Sequence, residues 1–438
     1  MEWYWALILM LGLLVVLLAA GLPVAFTFFT INFIGAWIFL GGEPGMIQNV
    51  RSMVGAVALF ALAPIPLFIL MGEIMFQTGM AGRAIDAIDR LVTRVPGRLS
   101  VVAIASGTVF AALTGSSMAN TAMLGSTLIP EMLRRGYQPV MSMGPILGTG
   151  GIAVLIPPSG LTVLLGSLAG ISIADLLIGG ILPGVVIALL FVAYVVIRCS
   201  LNPSLAPSYD VPPMSPWERW KPLLVYVVPL LGIFIVVVGS MLAGVATPTE
   251  SAALGSVASV IAGLCYRRLT WSNLLHSLKQ TTRVSVMLFF IIAASITFAQ
   301  ILGFSGATGG MLQLITSWKL GPYEIVFAMI AVLLFLGCFI EPLSMMMLTL
   351  PFFMPLARAA GLDLVWFGIV MLVMLEVSFI TPPFGLLLFV MRGLAPKGTT
   401  TSTIYRAALP YFALQMAAVA LIIAFPSIAT GLQKLMAR

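Results

Sequence analysis

Charge is what this sequence has least of. Asp, Glu, Lys and Arg supply 8% of its 438 residues, against 61% hydrophobic. A soluble protein carries about a quarter charged residues to cover its surface. Lipid must cover this one, which excludes a soluble enzyme or a soluble binding module. The longest polar interval, Cys199 to Lys221, is a Pro-rich connector with no room for a domain. Histidine is almost missing: His276 stands alone, so no His-based metal site is expected. Cys199, Cys265 and Cys338 show no pairing pattern, and no disulfide is expected. The absence of a Walker motif removes ATP hydrolysis by this chain as a drive. The net charge of +7 comes from basic residues scattered singly and in pairs, which argues for membrane topology and against nucleic acid.

What is there is a succession of apolar runs, each near the ~20 residues that cross a bilayer at a rise of ~1.5 Å per residue. The beginning, Glu2-Trp3-Tyr4-Trp5, has neither a basic n-region nor a small-residue cleavage site nearby. It reads as a permanent first span with an aromatic interfacial anchor.

Aligned with itself at an offset of 225 residues, the chain matches Pro130 to Pro355 and Gly136 to Gly361. Pro157, Pro158 and Gly160 then match Pro382, Pro383 and Gly385. These residues bend or end helices, so what repeats is a pattern of interruption. Each repeat is expected to hold a hydrophobic span (63–80; 284–303), a short amphipathic piece (81–95; 308–318), an apolar stretch with a polar or Pro-containing middle (99–133; 325–357), a span broken at Pro-Pro (138–168; 363–391) and a closing span (174–197; 407–430). Scaffold helices are expected at 1–50 and 201–275, with the two repeats at 51–200 and 276–438.

The stretch 99–133 is flanked by Arg83, Arg90, Arg94 and Arg98 on one side and by Arg134 and Arg135 on the other. Both flanks favour the cytoplasm. Its middle, Thr114-Gly115-Ser116-Ser117, is too polar and flexible for ordinary helix in lipid. A re-entrant helical hairpin meets both facts; two conventional spans would be short. Five spans separate it from 325–357, which places the second hairpin on the opposite side and makes the repeats inverted. The cytoplasmic connections then hold 16 of the 21 Lys and Arg residues, and both termini fall outside the cytoplasm.

The expected fold is therefore an all-α polytopic membrane protein with inverted repeats, two re-entrant hairpins and two broken helices, the plan of secondary transporters. Interrupted helices expose backbone dipoles: N-terminal half-helix ends attract anions, and freed carbonyls coordinate cations. Ser116, Ser117 and Asn120 at the first tip can coordinate Na⁺ or substrate, or can simply satisfy the turn. Thr149, Gly150, Gly151, Pro157, Pro158 and Ser159 lie on the first broken helix, and Thr381, Pro382, Pro383 and Phe384 mark the second. Glu341 has two open readings, an ion or substrate ligand and a carboxylate pinned by backbone N–H groups. Glu73 and Glu376 are lesser candidates, because either can reach an interface or a neighbouring helix. Thr247 and Glu250 stand at capping-box spacing. No Lys or Arg falls at mid-membrane depth, so helix ends, hydroxyls and bound Na⁺ would have to neutralise an anionic substrate. With His276 in a connection and no intramembrane Lys, a serine-protease constellation is excluded.

Gly115-Ser116-Ser117, Asn120-Thr121-Ala122 and Ile129-Pro130-Glu131, running into Arg134-Arg135-Gly136-Tyr137, resemble the large membrane subunit of TRAP (tripartite ATP-independent periplasmic) transporters. Ile156-Pro157-Pro158-Ser159, Thr247-Pro248-Thr249-Glu250-Ser251-Ala252 and Ile380-Thr381-Pro382-Pro383-Phe384-Gly385 extend the resemblance over essentially the whole chain. It departs at Glu341, where the family often has Asp, and at Met374-Leu375-Glu376-Val377-Ser378, where the family often has Asn-Leu-Glu-x-Gly. The resemblance implies Na⁺-driven import of a small organic anion, such as a dicarboxylate, keto acid or sialic acid, by an elevator motion in a bacterial inner membrane. It implies no cofactor beyond Na⁺ as coupling ion. The partners implied are a small four-helix membrane subunit and a soluble periplasmic substrate-binding protein. Read from the residues themselves, Gly115, Ser116, Ser117, Asn120, Glu341 and Thr381 are among the candidate substrate and ion ligands, with Na⁺ expected near Ser116, Ser117, Glu341 and Thr381. An autonomous ion-coupled anion carrier of related architecture is the alternative.

Overall fold

The computed structural model describes residues 2–93, 95–207 and 215–436. Arg94, Arg438 and residues 208–214 of the connector, all used above, lie outside the described residues. Those described form helices and turns, with no strand.

The chain opens with α1 (Trp3–Ala19), α2 (Val24–Phe39) and α3 (Glu43–Val57). Next come α4 (Pro64–Gln77) and the amphipathic α5 (Met80–Leu91). Two antiparallel arms follow, α6 (Arg98–Thr114) and α7 (Ser117–Arg134). Then α8 (Pro139–Gly150) tightens into a 3₁₀ turn (Gly151–Val154), breaks, and resumes as α9 (Gly160–Ala169). After α10 (Ile173–Leu201), α11 (Pro216–Pro222) runs through a π-turn into α12 (Val228–Leu242), and α13 (Pro248–Cys265) follows. The long α14 (Trp271–Phe304) and short α15 (Ala307–Ser317) lead to the arms α16 (Pro322–Gly337) and α17 (Pro342–Ala359). A second broken helix, α18 (Leu364–Phe379) and α19 (Leu386–Leu394), precedes α20 (Thr401–Ala424) and α21 (Ser427–Met436).

The repeat is visible in the helix bounds. Adding 225 to Ser117–Arg134 gives 342–359, the span of α17. The same shift takes Pro139–Gly150 to 364–375 inside α18, and Gly160–Ala169 to 385–394 over α19. Pro157-Pro158 and Pro382-Pro383 are both cis, and Gly136 and Gly361 both have positive φ. Contacts repeat too: α7 packs on α19 as α17 packs on α9. Between the hairpins lie five helical units, α8–α9, α10, α12, α13 and α14, the odd number that an inverted arrangement of the hairpins requires.

Three expectations are corrected. The span expected at 284–303 is the second part of α14, which starts at Trp271 and includes residues assigned to a connection. His276, Lys279 and Arg283 lower its hydropathy there without breaking the helix, since straight-chain Lys and Arg propagate helix well and one His costs little. The helix α3 was not expected: positive-φ Gly41 and Gly42 stop the preceding helix, and Pro44 starts the next. The closing span 407–430 is instead 401–424, because Pro426 cannot continue the helix.

Among the described residues, five helical stretches are long and apolar enough to cross a membrane: Phe60–Gln77, Ile173–Leu201, Pro216–Leu242, Trp271–Phe304 and Thr401–Ala424. Large apolar side chains such as Trp37, Leu189, Ile235 and Phe335 point outward, as a lipid-facing surface requires. The centre is α8 and α18, equivalent in the repeat. Every residue of Met141–Gly150 and of Trp366–Phe379 is buried. A helix apolar all round belongs inside. Polar ties hold the surround: Asn32 Nδ2 on α2 donates to Ala294 O and Thr297 Oγ1 of α14, and Ser256 Oγ on α13 donates to Leu67 O of α4. Arg219 of α11 donates to Arg90 O, Leu91 O and Thr93 Oγ1, pinning α5, while Arg83 lies over the Tyr226 ring, 5.2 Å from its centroid.

Candidate functional site

The first tip is set by Gly115 and Ser116. Gly115 has φ +56°, and a Cβ there would fall 2.4 Å from Pro158 O, so conformation and close approach both demand glycine. Ser116 Oγ accepts from Ala119 N and caps α7. The tip thus rests on the break of the following broken helix, where Ser159 Oγ accepts from Thr162 N and caps α9. The second hairpin repeats this. A Cβ at Gly337 would lie 2.8 Å from Ser378 Cβ, and Glu341 caps α17 by accepting from Leu343 N (3.2 Å), Ser344 N (3.0 Å) and Ser344 Oγ.

A cavity of about 200 Å³ lies beside the first tip. Gly115, Ser116, Ser117, Pro158 and Gly160 line it from the repeat, Gly72 and Glu73 from α4, Val284 and Leu288 from α14, and Phe379 from the second repeat. No Lys or Arg is among these described lining residues. Behind the tip, Ser117, Asn120 and Thr121 share one face of α7, three and four residues apart. Asn120 Nδ2 donates to Gly107 O (3.0 Å) and Thr149 O (3.4 Å), which fixes the amide and leaves Oδ1 as acceptor. Ser117 Oγ, Asn120 Oδ1 and Thr121 Oγ1 are buried with no hydrogen-bond partner. A Cβ on Gly150 would meet Thr121 Oγ1 at 2.0 Å and Ser117 O at 3.4 Å. Leu387 Cδ1 stands 2.9 Å from the same point, so the surround of Gly150 is part oxygen and part apolar. The three unpartnered oxygens of Ser117, Asn120 and Thr121 are of the donor type that suits a hard cation.

The expected site residues therefore fall into two groups. Gly115, Ser116, Ser117, Asn120, Thr149, Gly150, Pro157, Pro158 and Ser159 are gathered at the first tip and its break. Glu341 belongs to the second tip and Thr381 to the second break, and neither lines the cavity. Thr381 is buried, with Oγ1 donating to Val377 O (2.7 Å), and is followed by cis Pro382-Pro383. Of the two readings of Glu341, its carboxylate is engaged as the α17 cap. Gly151 faces Glu376 and Gln415. Sequence reasoning missed Thr121, Gly72 and Gln415, and it ranked Glu73 low. A carboxylate inside an apolar span was the available signal for Glu73; nothing local marked Gln415. Thr247 and Glu250 form a full capping box at the start of α13, with Thr247 N donating to Glu250 Oε2 (2.7 Å) and Glu250 N to Thr247 Oγ1 (3.3 Å).

Two inverted hairpins, each seated on a broken helix, with a cavity beside the first tip, define a multi-pass membrane transporter. Residues 11–428 match the family of the tripartite ATP-independent periplasmic transporter, DctM component, and the chain belongs to that family. It is a transport protein and not an enzyme.

Among its relatives is the ectoine TRAP transporter large permease protein TeaC of Halomonas elongata, 29% identical over 98% of this chain and 99% of that protein. The C4-dicarboxylate TRAP transporter large permease protein DctM of Pseudomonas aeruginosa is 32% identical over 88% of this chain and 90% of its own length. The sialic acid TRAP transporter large permease protein SiaM of Vibrio cholerae is 29% identical over 94% of each. Among solved structures, the Alcanivorax borkumensis YdaH transporter superposes with a TM-score of 0.63 at 12% identity, over 89% of this chain and 91% of that one, a likeness of fold alone.

Proposed function

We propose that this chain imports a small organic anion bearing a carboxylate, driven by the Na⁺ gradient, across a bacterial cytoplasmic membrane with both termini on the periplasmic side. The observation that carries the reading is the set of buried, unpartnered oxygens of Ser117, Asn120 and Thr121 beside a cavity lined by Glu73 and by no basic residue. An anion entering that cavity meets a carboxylate. Cations must arrive first, at the oxygens behind the first tip, for its charge to be offset. Ser116 and Ser117 then stand between cation and substrate, with Glu341 at the second tip and Thr381 at the second break as their counterparts in the other repeat. The relatives named for ectoine, C4-dicarboxylates and sialic acid support a carboxylate-bearing substrate without choosing one.

A small four-helix membrane subunit and a soluble periplasmic binding protein complete the system, the latter delivering the substrate. Alternating access follows from an elevator motion in which the hairpins and broken helices, packed on each other across the repeats, slide against α1–α4 and α12–α14.

Uptake into proteoliposomes tests this. The chain is reconstituted with its small subunit and supplied with ligand-loaded binding protein, with and without an inward Na⁺ gradient. Uptake that needs both is the expected result. Uptake of free substrate without the binding protein would move the function to an autonomous carrier, and uptake indifferent to Na⁺ would overturn the coupling.

A further inference from the structure

Among the described residues, Glu376 is the one buried carboxylate, with 0% exposure. It belongs to α18, yet its hydrogen bond leaves its own repeat: Glu376 Oε1 accepts from Val154 N at 2.9 Å, 222 residues away. Val154 ends the 3₁₀ turn into which α8 tightens before the Pro157-Pro158 break. That N–H sits where regular α-helical bonding has just stopped, and a buried N–H without an acceptor is costly. None of the ion pairs among described residues includes Glu376.

Its other oxygen, Oε2, has no partner, and neither does either amide atom of Gln415 on α20, itself 1% exposed. Both converge on Gly151. A Cβ there would lie 2.8 Å from Glu376 Oε2 and 2.9 Å from Gln415 Nε2. Gly151 has ordinary helical dihedrals (φ −70°, ψ −17°), so its glycine serves this approach and not the backbone. Thr121 Oγ1, Leu387 Cδ1 and Ser117 O crowd the neighbouring Gly150.

We infer that Glu376 is a positioning residue for the first ion site: reaching across from the second repeat, it holds residues 151–154 in the tightened conformation on which the first tip's oxygens close. The two broken helices are thereby tied, so that a change at the second is felt at the first. The inference rests on the Na⁺-coupled reading only for its consequence in transport; the tie itself is independent of it.

Hydrogen exchange on the purified full chain tests the tie. Glu376→Leu is expected to raise exchange of the segment 147–158 by about tenfold, the scale of one lost buried hydrogen bond, with α10 and α20 unchanged as a check on folding. Glu376→Gln keeps the acceptor for Val154 N–H, so the parental rate is expected. Gly151→Ala, which displaces Glu376 by collision, is expected to resemble Glu376→Leu. Unchanged exchange in Glu376→Leu, or a Gln variant as fast as the Leu variant, would overturn the inference. In uptake, the Leu variant is expected to need several-fold more Na⁺ for half-maximal rate, and the Gln variant the parental amount. A parent protein indifferent to Na⁺ would remove the coupling proposed above and leave the exchange result to decide the tie.

Discussion

Ser116 and Glu341 hold the same place in their hairpins, 225 residues apart, and each caps the helix that returns from the tip. The chemistry differs. A hydroxyl accepts from Ala119 N at Ser116, whereas a carboxylate takes Leu343 N and Ser344 N at Glu341 and adds negative charge at a helix N-terminus, where the dipole favours it. The two tips are thus geometrically alike and electrostatically unlike, so substitutions at them should separate shape from charge.

Glu341→Ser rebuilds the first tip's cap at the second tip. It is expected to keep most of the stability and uptake, while Glu341→Leu loses about 1 kcal/mol, the usual worth of a cap. Thermal unfolding of the detergent-solubilised protein reads the first quantity, and proteoliposome uptake the second. A Ser variant that is stable but inactive would mean that the carboxylate itself binds an ion or substrate.

Glycines that share a neighbourhood should not respond alike. Gly115→Ala combines a left-handed φ, costing about 1 kcal/mol for a residue with a Cβ, with collision against Pro158 O at 2.4 Å. Uptake should be abolished. Gly150→Ala has no backbone penalty but meets Thr121 Oγ1 at 2.0 Å, so it should chiefly weaken Na⁺ dependence. Gly160→Ala meets nothing within 4 Å and should retain uptake, although Gly160 lines the same cavity. Parallel uptake and Na⁺ titration of the three variants check the order; loss of uptake in Gly160→Ala would contradict the geometry.

The breaks were legible in the sequence because Pro157, Pro158 and their counterparts act locally, excluding regular helix where they stand, whereas Pro130 and Pro355, expected to interrupt, lie inside α7 and α17 without ending them. Capping was legible for the same reason at Thr247 and Glu250. The start of α14 was not, since hydropathy reports where lipid ends and not where a helix ends. Nor was the bond from Val154 N to Glu376, whose partners stand 222 residues apart with no local pattern linking them. The first tip's candidate residues were largely found from sequence. Thr121 escaped because one hydroxyl on a helix face becomes informative only once Gly150 is seen against it.

At the connector, Arg219 makes three hydrogen bonds to Arg90 O, Leu91 O and Thr93 Oγ1, at 3.1, 3.0 and 2.7 Å. Each such exposed or half-exposed bond contributes roughly 0.5–1.5 kcal/mol. Arg219→Ala should therefore speed proteolysis or exchange at 89–93 without altering the transport core. Lysine cannot reach all three acceptors as one planar fork, so Arg219→Lys should recover only part of the protection. Equal protection in Lys and parent would show that charge alone holds α5.

Glu73 places a carboxylate on the scaffold side of the cavity, opposite Ser116 and Ser117. Its recorded side-chain partner is Gln77 Nε2 at 3.5 Å, a weak bond that leaves most of its acceptor capacity for the cavity. If cations precede the anion, removing this charge weakens cation binding while easing entry of the anion. Glu73→Gln is expected to raise half-saturating Na⁺ by about 3- to 10-fold, the size of one screened charge pair near a protein surface, and to lower half-saturating substrate at high Na⁺. Opposite movements of the two constants place Glu73 within the field that couples them. A variant with both constants unchanged would remove it from the transport path and leave the hydroxyls and carbonyls of the first tip to set the order of binding.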